Sequence, residues 1–279
     1  MKKPPNVKPF ASEDRRLLQY AKNLLANPGL VAQLTNVLGT PIEVAIKRLP
    51  KGASKRVNDT LETALLKCVR IAAKTMDEST DERSWNKTHL GAVVVTGATA
   101  GLLGPWTMLL EIPVTTTIIF RSIADIARSE GEVIKTGEGL QECLKVFALG
   151  GTSKNDDATE SGYFAVRSAL AAQIKKGADF VAKEASKEVA PAVVALIKKV
   201  VEILGIQYSE KLAAQLLPIV GAIGGASINA IFMGHFQSMA RGHFIVRRLE
   251  RIYGEAVIKE AYDSLPEYED ILPPLARYQ

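Results

Sequence analysis

The chain has 279 residues, 47% of them hydrophobic and 23% charged, with 35 Lys and Arg against 30 Asp and Glu. That length can bury a sizeable core, and that composition excludes a mainly disordered, collagenous or disulfide-stapled chain. The net charge of +5 permits an anionic partner such as a lipid surface without demanding one.

Residues 1–11 read as a disordered, basic, proline-containing tail, and no apolar run follows Lys2 and Lys3 to make a secretory signal. From Ser12, a plausible N-cap followed by Glu13 and Asp14, the series Leu17, Ala21, Leu24 and Leu25 has amphipathic-helix spacing that stops at Pro28-Gly29. Short helices are expected at Leu30 to Leu38 and Ile42 to Leu49. A longer one follows with the stripe Val57, Leu61, Leu65, Cys68 and Ala72. The same period recurs in Val166, Leu170, Ile174, Ala178 and Val181, and in Val189, Val193, Leu196, Val200 and Leu204, where Gly205 is read as the stop. Ile245, Leu249, Ile252 and Ala256 form the last stripe. No period-2 ladder competes, so the expected fold is all-α. It is read as a multi-helix bundle with one domain over 12–264 and a C-terminal tail over 265–279. The glycine-bounded polar run from Gly150 to Gly162 reads as a solvated loop. Its Asp156, Asp157 and Glu160 lack the spacing of a twelve-residue calcium loop.

Two segments depart from ordinary amphipathicity. Leu90 to Phe120 is 31 residues with one charge, Glu111, and Leu212 to Met233 is 22 residues with none. Both must be buried nearly all round, in protein or in lipid. Gly104-Pro105 turns the first into a helical hairpin whose arm Leu90 to Leu103 is about 21 Å long, short of a bilayer core. The second is long enough to span one. Gly97 and Gly101, and Gly221 and Gly225, carry the four-residue interval that lets helices approach closely, and Asn229 extends that seam. The expected centre of the bundle is therefore a glycine-rich hairpin with one further apolar helix.

Candidate chemistry lies on and after these segments. Thr107, Glu111, Thr115, Ser122 and Asp125 fall on one side of a helix in which Pro113 removes a backbone donor. Glu111 must be protonated or paired, either in a ligand site or in a structural network with Arg121 or Asn229. Arg121 can also pair with Asp125, one turn on. Glu111, Arg121, Asp125, His235, Arg241 and His243 are the candidate ligand-binding residues of a polar pocket between the hairpin and the C-terminal helix. Arg247, Arg248 and Arg251, in the densest basic patch, are the candidates for anionic lipid, with ordinary solvated charge as the alternative. His235 and His243 lie eight residues apart without an HExxH pair, and Cys68 and Cys143 have no partner motif, so no metal site and no disulfide are expected. Gly225-Ala-Ser227-Ile-Asn229 lacks the closing glycine of a nucleophile elbow. With aromatics at 6%, no nucleic-acid module is expected, and no cofactor motif is present.

Three groups of strings resemble the EcsC family. They are GATAGLLGPWTMLLEIPVTTT from Gly97 with RSIADIA from Arg121; ALGG from Ala148 with ESGY from Glu160; and LPIVGAIGG from Leu217 with His235-Phe236 and RGHFIVRRLERIYG from Arg241. The resemblance covers Ser12 to Ser264. It implies a bacterial, cytosol-facing helical protein with the inner membrane as its setting, and it transfers no catalytic residue. The leading expectation is a non-enzymatic protein at the cytoplasmic face of the inner membrane that binds anionic lipid or a membrane protein. The alternative is a soluble enzyme or small-ligand-binding protein using the polar pocket.

Overall fold

Where the chain is described, apolar spacing of 3.6 residues becomes helix. The computed structural model describes residues 10–26, 30–39, 44, 46–47, 49–75, 107–134, 137–149, 162–181, 191–215 and 221–267, and these contain nine α-helices and no strand. The helices are α1 (Ser12–Leu25), α2 (Leu30–Leu38), α3 (Ala53–Thr75), α4 (Thr107–Ser129), α5 (Gly137–Leu149), α6 (Gly162–Val181), α7 (Pro191–Gln215), α8 (Gly221–Tyr253) and α9 (Glu255–Ser264). The expected all-α fold is therefore present. Of the expected helix at 42–49 only 44, 46–47 and 49 are described, with 44 and 46 helical. The hairpin arm Leu90 to Leu103 with Gly97 and Gly101 lies outside the described residues, as does the expected Gly150 to Gly162 loop up to 161, Gly162 being the first residue of α6.

α8 organises the rest, because its 33 residues make a rod about 50 Å long. Ile228, Phe232, Met233, Phe236, Met239, Ala240 and Phe244 belong to the larger of two apolar clusters, shared with α2, α3, α4, α5, α6 and α7. Ile245, Val246 and Leu249 belong to the smaller cluster, with Leu17 and Leu18 of α1, Phe164 of α6, and Ile258 and Tyr262 of α9. The termini close on this second cluster. The Phe10 ring packs edge-on to Tyr253 at 5.1 Å, and buried Lys22 caps the end of α9 by donating to the carbonyls of Tyr262 (3.0 Å) and Leu265 (2.8 Å). Gln19 also donates to the Pro266 carbonyl at 3.0 Å.

Several expected helix ends move. Ser12 is the first helical residue rather than the cap; extended Ala11 precedes it, and no side chain caps the helix. Gly205 does not stop α7, which runs on to Gln215. Its role is contact, because a Cβ there would lie 1.9 Å from Asn58 Oδ1 of α3, so any larger residue requires the Asn58 side chain to move. Gly254, at φ 94°, is the real break near the C-terminus, separating α8 from α9. The stripe drawn through it therefore ends early, with Ile252 exposed. Of the 22-residue charge-free run, Leu212 to Gln215 are the last residues of α7 and 221–233 open α8. Among the described residues no helix is long and apolar enough to cross a membrane.

Candidate functional site

α4 turns its polar seam inward. Glu111, 6% exposed, receives at one oxygen the Nζ of Lys211 (2.9 Å), the side-chain amide of Asn229 (2.7 Å) and the hydroxyl of Thr115 (3.0 Å). One turn along, Thr116 and Tyr208 share a hydrogen bond of 3.0 Å, and Gln237 donates to Ser122 at 3.0 Å. Lys211 is fully buried and lies 5.5 Å from the centre of the Tyr208 ring and 5.2 Å from that of Phe232. Burial acts to raise the Glu111 carboxyl, but Lys211, Asn229 and Thr115 outweigh it and hold the group below its ordinary value. Burial also draws the Lys211 ammonium down, against the pull of Glu111. Pro113 sits inside this helix, and the Thr117 hydroxyl donates to its carbonyl at 2.6 Å.

The outer side of the same turns is apolar. Leu110 is 78% and Val114 47% exposed. At 100° per residue Arg121, also exposed, falls between those two positions on the helix surface. Beside them the Cys68 thiol of α3 donates to the Thr117 hydroxyl at 3.5 Å, and Lys67, next in sequence to Cys68, is exposed. Both cations act on that thiol, although burial dominates and raises it. Among the described residues neither Lys67 nor Arg121 enters an ion pair. Asp125, the partner expected for Arg121, instead meets Arg128 at 3.4 Å.

The C-terminal half of α8 is different. His243, fully buried, has the Glu142 carboxylate of α5 3.0 Å from Nε2 and the Tyr163 hydroxyl of α6 2.8 Å from Nδ1. Glu142 also meets Lys145 (2.6 Å) and Arg247 (3.4 Å). Arg167 grips Glu250 through both nitrogens at 2.7 and 3.0 Å. Arg247 donates to Glu132 (2.7 Å) and Glu138 (2.9 Å), Arg251 to Glu132 and the Glu130 carbonyl, and Glu130 faces Arg248 at 3.3 Å and Arg241 at 3.9 Å. Burial, helped by Arg167 and Arg247, lowers His243 to about 4 against the pull of Glu142. Burial works to raise Glu142, but His243, Lys145 and Arg247 hold it well below the usual carboxylate range.

The six candidate pocket residues are not gathered at one point. Glu111 joins Asn229, whereas His243 lies fourteen residues farther along α8, about 21 Å at 1.5 Å per residue. Arg121 faces outward, Asp125 pairs along its own helix, buried His235 stacks edge-on to Phe236 at 5.4 Å, and Arg241 lies toward Glu130. Of the two partners considered for Glu111, Asn229 makes the bond and Arg121 does not. The lipid candidates Arg247, Arg248 and Arg251 are turned onto the glutamates of the α4–α5 connection and α5. Sequence reading missed Lys211, Glu142, Tyr163 and Glu132. Lys211 had a legible signal only in its place, immediately before the charge-free run, and its neighbour Glu210 offered a local partner that hid the long-range one. Among the described residues no cluster of His, Cys, Asp or Glu could hold a metal ion.

The chain matches the EcsC protein family over residues 15–249 of its 279, and it belongs to that family. Neither a curated protein nor a solved structure matches it.

Proposed function

We propose that this member of the EcsC family is a non-enzymatic protein of the cytoplasmic membrane face, seated on the bilayer surface by the outer side of α4. The observation that carries this is the inverted amphipathicity of the first turns of α4. Glu111, Thr115 and Thr116 are buried beside Ile112, while Leu110 and Val114 face out. In water the reverse arrangement costs less. Against hydrocarbon the observed one is favoured, because the charge is already paired inside and the apolar side chains leave water. The adjoining sequence is consistent, since Glu111 is the one charge from Leu90 to Phe120. A shallow seat also fits the described helices, none of which can cross a membrane.

The gain from this stripe is modest. Removing Leu110 and Val114 from water is worth about 2–3 kcal/mol at their present exposure, and a single weak apolar signal gives only reversible membrane attachment. The test is co-sedimentation of the purified protein with phospholipid vesicles. Binding that is lost in the L110Q/V114Q variant supports the proposal, and a protein that stays in the supernatant at every vesicle concentration overturns it.

A further inference from the structure

Resting on that membrane reading, we propose that Lys67 and Arg121 form a cationic rim that recognises the phosphates of anionic phospholipid beside the inserted Leu110 and Val114. The rim is a place where positive charge is left over. In the C-terminal half of α8, Arg241, Arg247, Arg248 and Arg251 are each faced by a glutamate. At the α3–α4 contact the balance differs: both side chains are exposed, and among the described residues neither is taken up by an acid, Asp125 having gone to Arg128. The Cys68–Thr117 bond at 3.5 Å lies where the two helices meet, and both cations act on that thiol, so they lie around one contact rather than at random on the surface.

Their position relative to the apolar stripe suits a lipid head group. Arg121 lies on the stripe itself, seven residues beyond Val114, which is about 10 Å along the axis. On an obliquely seated helix, the apolar end enters the acyl boundary while Arg121 remains among the phosphates, its long stem lying along the surface and its guanidinium free to bind two oxygens. Lys67, from the neighbouring helix, adds a second point charge near the same Cys68 thiol. A bilayer rich in anionic lipid supplies many phosphates at one height, which matches two cations held by separate helices. Each such charge near an anionic surface contributes about fivefold to binding, and the two together about 30-fold.

The experiment compares wild type, K67Q/R121Q, L110Q/V114Q and R248Q/R251Q on vesicles of phosphatidylcholine alone and of phosphatidylcholine with phosphatidylglycerol, at low and high salt. The rim predicts that wild type prefers the anionic vesicles by roughly 30-fold and that salt removes the preference. It also predicts that K67Q/R121Q binds both vesicle types equally, while L110Q/V114Q loses both. Equal binding of wild type to the two vesicles overturns the rim but leaves the membrane seat standing. Absence of binding to either vesicle removes the membrane seat itself. Preference lost in R248Q/R251Q but kept in K67Q/R121Q assigns the head group to α8 and overturns the rim. Concentration-dependent dimerisation without lipid, abolished in L110Q/V114Q, assigns the stripe to a second copy and overturns both. Circular dichroism and urea midpoints of each variant, taken alongside, show that a loss of binding is not a loss of fold.

Discussion

The two ends of α8 bury charge in opposite ways. Near Asn229 a single carboxylate and a single ammonium, Glu111 and Lys211, are enclosed among aromatic and aliphatic side chains, and the turns of α4 that carry Glu111 show Leu110 and Val114 to the outside. Near His243 many charges share the work. Glu142, Glu132, Glu130 and Glu250 meet Lys145, Arg167, Arg247, Arg248 and Arg251, and the outermost members of this group, Glu138 and Arg251, remain partly in water. A lone buried pair depends on one partner, whereas a network spreads the loss of any one member. The first arrangement leaves apolar surface outside; the second leaves polar surface.

The sharpest way to break this comparison is to remove one member of the lone pair. Lys211→Met strips Glu111 of its counter-charge, and a cost of about 3–5 kcal/mol is expected, read as a fall in the urea midpoint. Replacing both, E111L/K211M, removes the uncompensated charge and should recover most of that loss, because a buried pair often does no better than apolar groups of similar volume. If the double variant is as unstable as the single one, Glu111 is contributing through Asn229 and Thr115 instead, and the end near Asn229 is itself a network.

Acid distinguishes the ends next. The folded value of His243, about 4, lies below its ordinary 6.5, so the unfolded chain takes up a proton first. Stability from His243 is therefore intact above pH 6.5 and is lost as pH falls toward 4, with a slope of up to about 1.4 kcal/mol per pH unit. Glu142, depressed in the fold, adds a loss of the same sign below its ordinary value of 4.5. Urea midpoints taken between pH 7 and 4 should fall for wild type and fall less in the pH 6.5–4 window for H243Q. Equal slopes would show that His243 is not the titrating group. Hydrogen exchange should loosen around Phe244 to Leu249 before it loosens around Ile228 to Phe232, since Glu111 is depressed and keeps its charge through that window.

Much of the helical framework was legible because burial follows spacing. Val57, Leu61, Leu65 and Cys68 are all 2% exposed or less, and α2 covers Leu30 to Leu38 as expected. What spacing could not supply was the meaning of a glycine. Gly205 and Gly254 are alike as letters, yet one is a crossing point inside α7 and the other a left-handed break after α8, and only the neighbouring Asn58 and the backbone angle separate them. Of the polar seam read on α4, Glu111, Thr115 and Ser122 are buried together, but which face looks outward depends on α7 and α8. The partners of the arginine patch were illegible for a related reason: its glutamates lie more than a hundred positions earlier in the chain, beyond the reach of local charge pairing.

Within the network, shape matters more than charge. Arg167→Lys keeps the positive charge but loses the two-nitrogen grip on Glu250 and the contact with the Tyr163 hydroxyl at 3.3 Å. A loss of about 1–2 kcal/mol is expected, smaller than for K211M because Glu250 keeps a cation in reach and water can enter at the rim. A loss as large as that of K211M would mean that the network is as brittle as the lone pair, and the contrast between the ends would collapse.

The smallest effect on stability is expected at the place with the largest functional consequence. Leu110 and Val114 contribute little to the core at 78% and 47% exposure, so L110Q/V114Q should change the urea midpoint by no more than about 0.5 kcal/mol per site. Glutamine is a good helix former, which makes a slight gain at the β-branched Val114 reasonable. The pair should nonetheless lose vesicle binding, because its apolar area is the part of α4 that leaves water on the bilayer. A strongly destabilised L110Q/V114Q would place these side chains inside the folded protein's own packing, and α4 would then have no apolar face left to offer a membrane.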